Sequence, residues 1–383
     1  MEALLLNAEN RSAEVKTISK PIPRWNEILI RVHSIALNPV DSLYVYHPLG
    51  STGRVIGSDF AGTVESLGPD VPATGGLKPG HRVAGFLQGA SSVNDRPGAF
   101  AEYLVCPYDL VWRVPADLSL EAAAAVSLCG LTAAQALFYR LGMKAPFKWD
   151  DLRAQDDACN FSVFIYGAST SVGLYAAQLV RRAAEASGGK VRLVGAASRK
   201  HFGMLKAEPY GYDHLVDYRD DNWPEQVRTF TDDKGVKYAY DCISEGSTIV
   251  NTAKTLAVGA GMAVVRSRQG GAWDTPREEL PTEPIYGAVW EGLGEDVQYV
   301  GMFLPKSKVS RDFATAFYKW LSEDGRLQPN PIRLMPGGLK KVMGDGLRLM
   351  GSGTMEDREA SRTEEWMKPV SAEKLVYQLE RSN

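Results

Sequence analysis

Phe161-Ser-Val-Phe-Ile-Tyr-Gly-Ala-Ser-Thr-Ser-Val-Gly173 is the stretch on which the fold turns. An apolar run, Val163 to Tyr166, meets a turn of small residues, and a helical apolar pattern follows at Val172, Tyr175, Ala176, Leu179 and Val180. The spacing predicts a strand that stops at Gly167 and a helix that starts at Ser171. Such a corner aims free backbone N–H groups and the positive end of a helix dipole at one point, where a phosphate is stabilised. The usual dinucleotide fingerprint carries three glycines. Here Thr170 and Ser171 stand where the middle glycine is expected, and hydroxyls can donate to phosphate oxygens in its place. Gly167, Ser169, Thr170, Ser171 and Val172 are the candidate phosphate-binding residues. Taken alone, the turn reads equally as a plain strand–helix corner.

Working outward, apolar strands alternate with amphipathic helices from Phe161 to about Leu304, which predicts a parallel, doubly wound α/β sheet. Its strand candidates are Ser162–Tyr166, Val191–Ala196, His214–Val216, Tyr238–Cys242, Met262–Val265 and Val297–Met302. Before this region the chain reads as short strands and glycine-punctuated turns, as in Val55 to Val64. Helical patterns begin near Glu121. Lys144 to Asn160 reads as polar and irregular, and Ser352 to Met367 as a charged, solvated insertion or mobile loop. After Arg311 come a helix and a closing strand, Lys374 to Leu379, expected to fold back on the first domain. The expected division is residues 1–125 with 311–383 as one domain and 126–310 as the dinucleotide-binding domain.

At 383 residues the chain suits two domains better than one. A net charge of −3 gives no electrostatic case for nucleic acid. No apolar run reaches the ~18 residues of a membrane span, and the start lacks the basic region of a secretion signal. Cys106, Cys129, Cys159 and Cys242 are scattered, which fits a reduced, cytoplasmic setting.

The residues also speak to cofactor and metal. An NAD site usually ends its second strand in an acid that holds the ribose 2′-hydroxyl. This chain has Gly195-Ala-Ala-Ser-Arg-Lys200 there, so Ser198, Arg199 and Lys200 offer a hydroxyl and two cations to a 2′-phosphate. NADPH is the expected cofactor, the plain alternative being a solvated basic loop. Tyr218, after the next strand, is a candidate to close over the adenosine or else an edge aromatic. No metal site is expected, because the five histidines form no His-x-x-His or His-Glu pair and the cysteines form no Cys-x-x-Cys pair.

Seven short motifs in order make the chain resemble the medium-chain dehydrogenase/reductase superfamily over nearly its whole length. They are Asn38-Pro-Val-Asp41, Gly57-Ser-Asp-Phe-Ala-Gly-Thr-Val64, Pro79-Gly-His-Arg-Val83, Gly98-Ala-Phe-Ala-Glu-Tyr103, Gly130-Leu-Thr-Ala133, Tyr166-Gly-Ala-Ser-Thr-Ser-Val-Gly173 and Ser371-Ala-Glu-Lys-Leu-Val376. The resemblance implies a GroES-like, β-rich catalytic domain joined to a Rossmann domain. Zinc alcohol dehydrogenases carry Cys near the position of Asn38 and His-Glu after that of Gly57. Asn-Pro-Val-Asp and Gly-Ser-Asp are instead similar to the zinc-independent quinone and enoyl reductases. The insert before Phe161, the Ser-Thr-Ser turn, Asp241-Cys-Ile-Ser244 and Glu323-Asp-Gly-Arg-Leu327 look most like fungal trans-acting enoyl reductases, which serve polyketide synthases.

That resemblance implies an NADPH-dependent reduction of an enoyl C=C bond in a small-molecule or carrier-tethered substrate, by a monomer or homodimer. Hydride goes to the β-carbon, an enolate forms, and the α-carbon takes a proton. Related reductases often place Lys or Tyr two residues after the Asn-Pro-Val-Asp motif, whereas this chain has Leu43. Tyr44 is then the candidate proton donor, with a packed aromatic as its plain alternative. Thr132 is where the family approaches the nicotinamide, or else a buried helix-start threonine. Two rivals stay open: a quinone or small-enone reductase working on free substrates, and an NADPH-binding protein with a non-redox or partner-binding role.

Overall fold

The computed structural model describes residues 1–73, 76–149, 160–299, 302–323, 325–358 and 362–379. Cys159 and most of the polar insert therefore lie outside the described residues.

A six-stranded, wholly parallel sheet organises the middle of the chain. Its strands are Asn160–Tyr166, Lys190–Ala197, His214–Asp217, Val236–Asp241, Leu256–Val264 and Ile285–Tyr286. Across the sheet they run third, second, first, fourth, fifth, sixth. The first strand lies centrally and is apolar on both faces, with Val163, Phe164 and Ile165 fully buried. The order reverses between the first and fourth strands, so a crevice opens beyond their carboxyl ends. Five predicted strands are present. Val297–Met302 is not the sixth: Val297–Tyr299 pairs antiparallel with Met302–Leu304 in a separate ribbon, and the short Ile285–Tyr286 completes the sheet.

Helix Ser171–Ser187 follows the first strand and buries Tyr175, Ala176, Leu179 and Val180 of the predicted stripe, together with Leu174, while Val172 is half-buried. Gly188, at φ 64°, ends it in the left-handed conformation that glycine tolerates best.

The second sheet holds strands Glu27–Ala36, Asp59–Leu67, Arg82–Phe86, Tyr103–Pro107 and Val111–Arg113. Strands Ile332–Met335 and Lys374–Gln378 complete it, and Val376 stands opposite Ala36. The end of the chain thus returns to the first domain as expected.

The polar segments are anchored at particular residues. Phe147 and Trp149 are half-buried. Phe147 lies 5.5 Å from the Phe313 ring and 5.5 Å from that of Trp320, while Trp149 meets Phe313 edge-on at 4.9 Å. Their aromatic area is what holds this part of the insert on the protein. The segment after Gly351 is also anchored: Met367 is fully buried, and Arg333 donates to the carbonyls of Trp366, Lys368 and Pro369.

Candidate functional site

Gly167 sits at φ 74°, a conformation that a side chain disfavours. A Cβ on Gly173 would lie 2.4 Å from the Gly167 carbonyl oxygen, so only glycine lets the helix approach the strand this closely. The first and third glycine roles of a phosphate turn are therefore both filled. Thr170 has another duty: it is the N-cap, and its Oγ1 accepts from the Gly173 N–H at 3.0 Å. The amides of Ser171 and Val172, in the first turn, have no acceptor within their own helix. They face the crevice end of the helix together with the half-buried Ser169.

At the end of the second strand, Ser198 Oγ accepts from Arg219 at 3.1 Å. Arg219 also reaches Asp217 Oδ1 at 3.3 Å and stacks on the Tyr218 ring, 4.5 Å from its centroid. Arg199 reaches Asp220 at 3.0 Å and Asp217 at 3.4 Å. Burial is the largest single effect on the Asp217 carboxyl and raises it, but hydrogen bonds from the Arg219 and Arg199 amides and the Arg219 guanidinium together outweigh burial and hold it below its ordinary range. The structure thus brings Ser198, Arg199 and Tyr218 together around a second guanidinium, Arg219. Sequence reasoning passed over that residue, although it stands beside Tyr218. Lys200 is exposed next to this group. Tyr218 meets Tyr166 edge-on at 6.4 Å and is 41% exposed.

Across the crevice, Asp241 closes the fourth strand. Its buried carboxylate accepts from the amides of Ile243 and Ser244 at 2.9 and 2.8 Å and from the Thr248 hydroxyl at 2.6 Å. Burial pushes this carboxyl up to about 6, although those hydrogen bonds oppose the shift. The turn it braces abuts the phosphate turn, because a Cβ on Gly167 would meet Ile243 Cγ1 at 3.1 Å.

Helix Pro39–Tyr46 belongs to the other domain. Tyr44 is 3% exposed, its hydroxyl accepts from Gln88 Nε2 at 3.0 Å, and its ring stacks on Trp290 at 6.2 Å. Leu43, its half-buried neighbour, stands 4.0 Å from where a Cβ on Gly353 would be. Thr132 lies in helix Ser127–Ala134 and donates to the Leu128 carbonyl at 2.8 Å.

Beneath these residues is a buried polar cluster. Asp59 Oδ2 accepts from the Lys374 ammonium at 2.5 Å and from Asn38 Nδ2 at 2.9 Å. Its Oδ1 accepts from the Leu128 amide at 2.9 Å, and Cys129 Sγ lies 3.5 Å from the same ammonium. Asp41 accepts from the Asn38 amide at 2.7 Å and from the Ser58 hydroxyl. Burial pushes the Asp41 carboxyl up to about 7 against these hydrogen bonds.

Comparison with known proteins gives this geometry a context. Residues 24–116 match the alcohol dehydrogenase GroES-like domain, and residues 171–280 match the zinc-binding dehydrogenase family. The second name implies a metal that these residues do not suit. Among the described residues no three His, Cys, Asp or Glu side chains converge, and a lysine ammonium already sits between Asp59 and Cys129. The chain is 31% identical over 366 residues to the trans-enoyl reductase xenG of Xenoacremonium sinensis, covering 94% of this chain and 90% of that one. In fold it is similar to CurK enoyl reductase (TM-score 0.71, 17% identity, 99% of each chain). It is also similar to a mycobacterial protein solved with NADPH (TM-score 0.67, 20% identity, 99% of each chain). The chain belongs to the trans-enoyl reductases, within the medium-chain dehydrogenase/reductase superfamily.

Proposed function

We propose that this protein is an NADPH-dependent enoyl reductase that reduces the C=C bond of a carrier-bound polyketide intermediate for a synthase, in the fungal cytoplasm. The observation that carries the cofactor assignment is that Arg199 and Arg219 both reach Asp217, with Arg219 also donating to Ser198 at the end of the second strand. An NAD site would present an acid to the ribose there, whereas Asp217 and Asp220 are engaged by these guanidinium groups. Among the described residues no helix is long and apolar enough to cross a membrane.

Gly167, Ser169, Thr170, Ser171 and Val172 would hold the diphosphate, and Ser198, Arg199, Lys200, Arg219 and Tyr218 the 2′-phosphate and adenosine. NADPH, when bound, supplies the hydride for the β-carbon. The chain's own residues have the smaller task of orientation. The close helix–strand contact at Gly173 fixes the amides of the phosphate turn, so they need no rearrangement when charge arrives. Thr170 contributes as the cap that holds those amides in place.

At the cleft, Leu43 offers no proton, and the buried Tyr44 hydroxyl is held by Gln88. We therefore assign the α-carbon proton to solvent, with Thr132 and Tyr44 shaping the nicotinamide end rather than transferring it. Catalytic residues 1–125 with 311–383 and dinucleotide-binding residues 126–310 are the division this reading uses. The assay is oxidation of NADPH, followed at the nicotinamide absorbance band, with a short enoyl thioester. The expected result is turnover with NADPH and much less with NADH. Tight NADPH binding without turnover of any enone, thioester or quinone would overturn the reading.

A further inference from the structure

The segment after Gly351 crosses between the two domains. At one end the Ser42 hydroxyl donates to the carbonyls of Leu347 and Gly351. The loop closes on itself, because Asp357 accepts from the Ser352 hydroxyl at 3.1 Å and the Thr354 amide at 3.2 Å. Gly353 faces Leu43 on the catalytic side. On the far side the Met355 amide donates to Glu245 Oε2 at 3.2 Å, four residues beyond the fourth strand of the dinucleotide domain.

Among the described residues, this crossing brings Arg358 to two charged neighbours, Glu245 and Arg266. Glu245 is already paired with Arg266, which follows the fifth strand. Among the described residues no carboxylate lies within ion-pair distance of Arg358, and its Nε is buried without a hydrogen-bond partner. Burial works against its charge; Glu245 supports that charge and Arg266 opposes it. A partly desolvated guanidinium without its own counter-ion is costly unless a ligand provides one. The turn that carries Glu245 also abuts the phosphate turn at Gly167. A planar guanidinium in that setting suits a phosphate oxygen pair.

We propose that Arg358, with Arg266 beside it, binds a phosphate group of a ligand that enters the cleft between the domains. Two sources share this chemistry: the diphosphate of the dinucleotide, and the phosphate of the pantetheine arm by which a carrier tethers a thioester. The second source rests on the function proposed above.

The full-length protein and its Arg358→Gln and Arg358→Lys variants decide the matter. Two quantities are measured: the Kd for NADPH, and the ratio of kcat/KM for a short enoyl thioester of 4′-phosphopantetheine to that of pantetheine. If Arg358 holds the dinucleotide, Arg358→Gln weakens NADPH about tenfold and leaves the ratio unchanged. If it holds the arm, the wild type prefers the phosphorylated thioester about tenfold, and Arg358→Gln removes the preference without changing NADPH binding. Either loss should be partly restored by Arg358→Lys. An unchanged Kd together with an unchanged ratio overturns the proposal. Should the wild type reduce neither thioester, the enoyl reductase reading fails, and calorimetric titration with 4′-phosphopantetheine and with NADPH still tests the phosphate site by the same comparison of variants.

Discussion

Arg219 shows how a functional side chain escapes a reading of sequence. The acid-free end of the second strand was legible, because Ser198, Arg199 and Lys200 follow the strand directly. Arg219 comes from the next strand–helix connection, and only the pairing of strands brings it to the Ser198 hydroxyl. Replacing Arg219→Gln should lower the preference for NADPH over NADH about tenfold, read as the ratio of the two kcat/KM values. An unchanged ratio would remove Arg219 from the site. Asp41 makes a second residue-scale prediction. Its carboxyl ordinarily titrates at 3.8 and is pushed up to about 7 in the folded protein. Between those values the native state keeps a proton that the unfolded chain has released, so this group's effect is a loss of stability as pH rises. Asparagine cannot ionise, and the stability of Asp41→Asn relative to the wild type should therefore rise from about pH 5 to about pH 8. Urea midpoints at the two pH values check this, and a difference that stays flat or falls with pH contradicts it.

At the scale of elements, the strand–turn–helix at Phe161 to Gly173 was readable because its periodicity changes sharply at Gly167. The role of each turn residue was less so. Thr170 Oγ1 also caps its own helix by accepting from the Gly173 amide, a role compatible with donating its own proton to a phosphate oxygen. Gly173 ends the motif in sequence, but the 2.4 Å approach of a Cβ there to the Gly167 carbonyl oxygen makes it the tightest point of the turn. Gly173→Ala must push the helix off the strand. We expect at least a tenfold weaker Kd for NADPH, measured by nicotinamide fluorescence, with the helix content unchanged by circular dichroism. Wild-type affinity in that variant would show that the turn does not depend on this contact. The sixth strand and the aromatic anchoring of Phe147 and Trp149 were missed for one reason. Ile285–Tyr286 has two residues, and a pair of aromatics in a polar stretch has no period to detect.

Across the whole molecule, the return of the last strand to the first domain is fastened by its pairing with strand Glu27–Ala36 and by a buried ion pair. Lys374 stands on the closing strand, Asp59 on strand Asp59–Leu67, and both are almost wholly inaccessible. The Ser371 to Val376 motif was visible in sequence, but nothing local to it says that its lysine meets a carboxylate 315 residues away. Lys374→Met leaves Asp59 buried without its cation and should lower stability by about 3–5 kcal/mol, measured by denaturant unfolding. A loss below ~1 kcal/mol would mean that the pair contributes little to joining the chain's two ends. The proposed reductase uses the Arg199 and Arg219 pair, the phosphate turn and the Leu43 side of the cleft together. The most direct test is single-turnover oxidation of NADPH by the wild-type protein with an enoyl thioester. The account predicts a saturated thioester formed in equal amount to the NADPH consumed, and a Leu43→Lys variant that is not required for turnover. NADPH bound tightly but never oxidised by the wild type, with oxidation appearing only after Leu43→Lys, would contradict it.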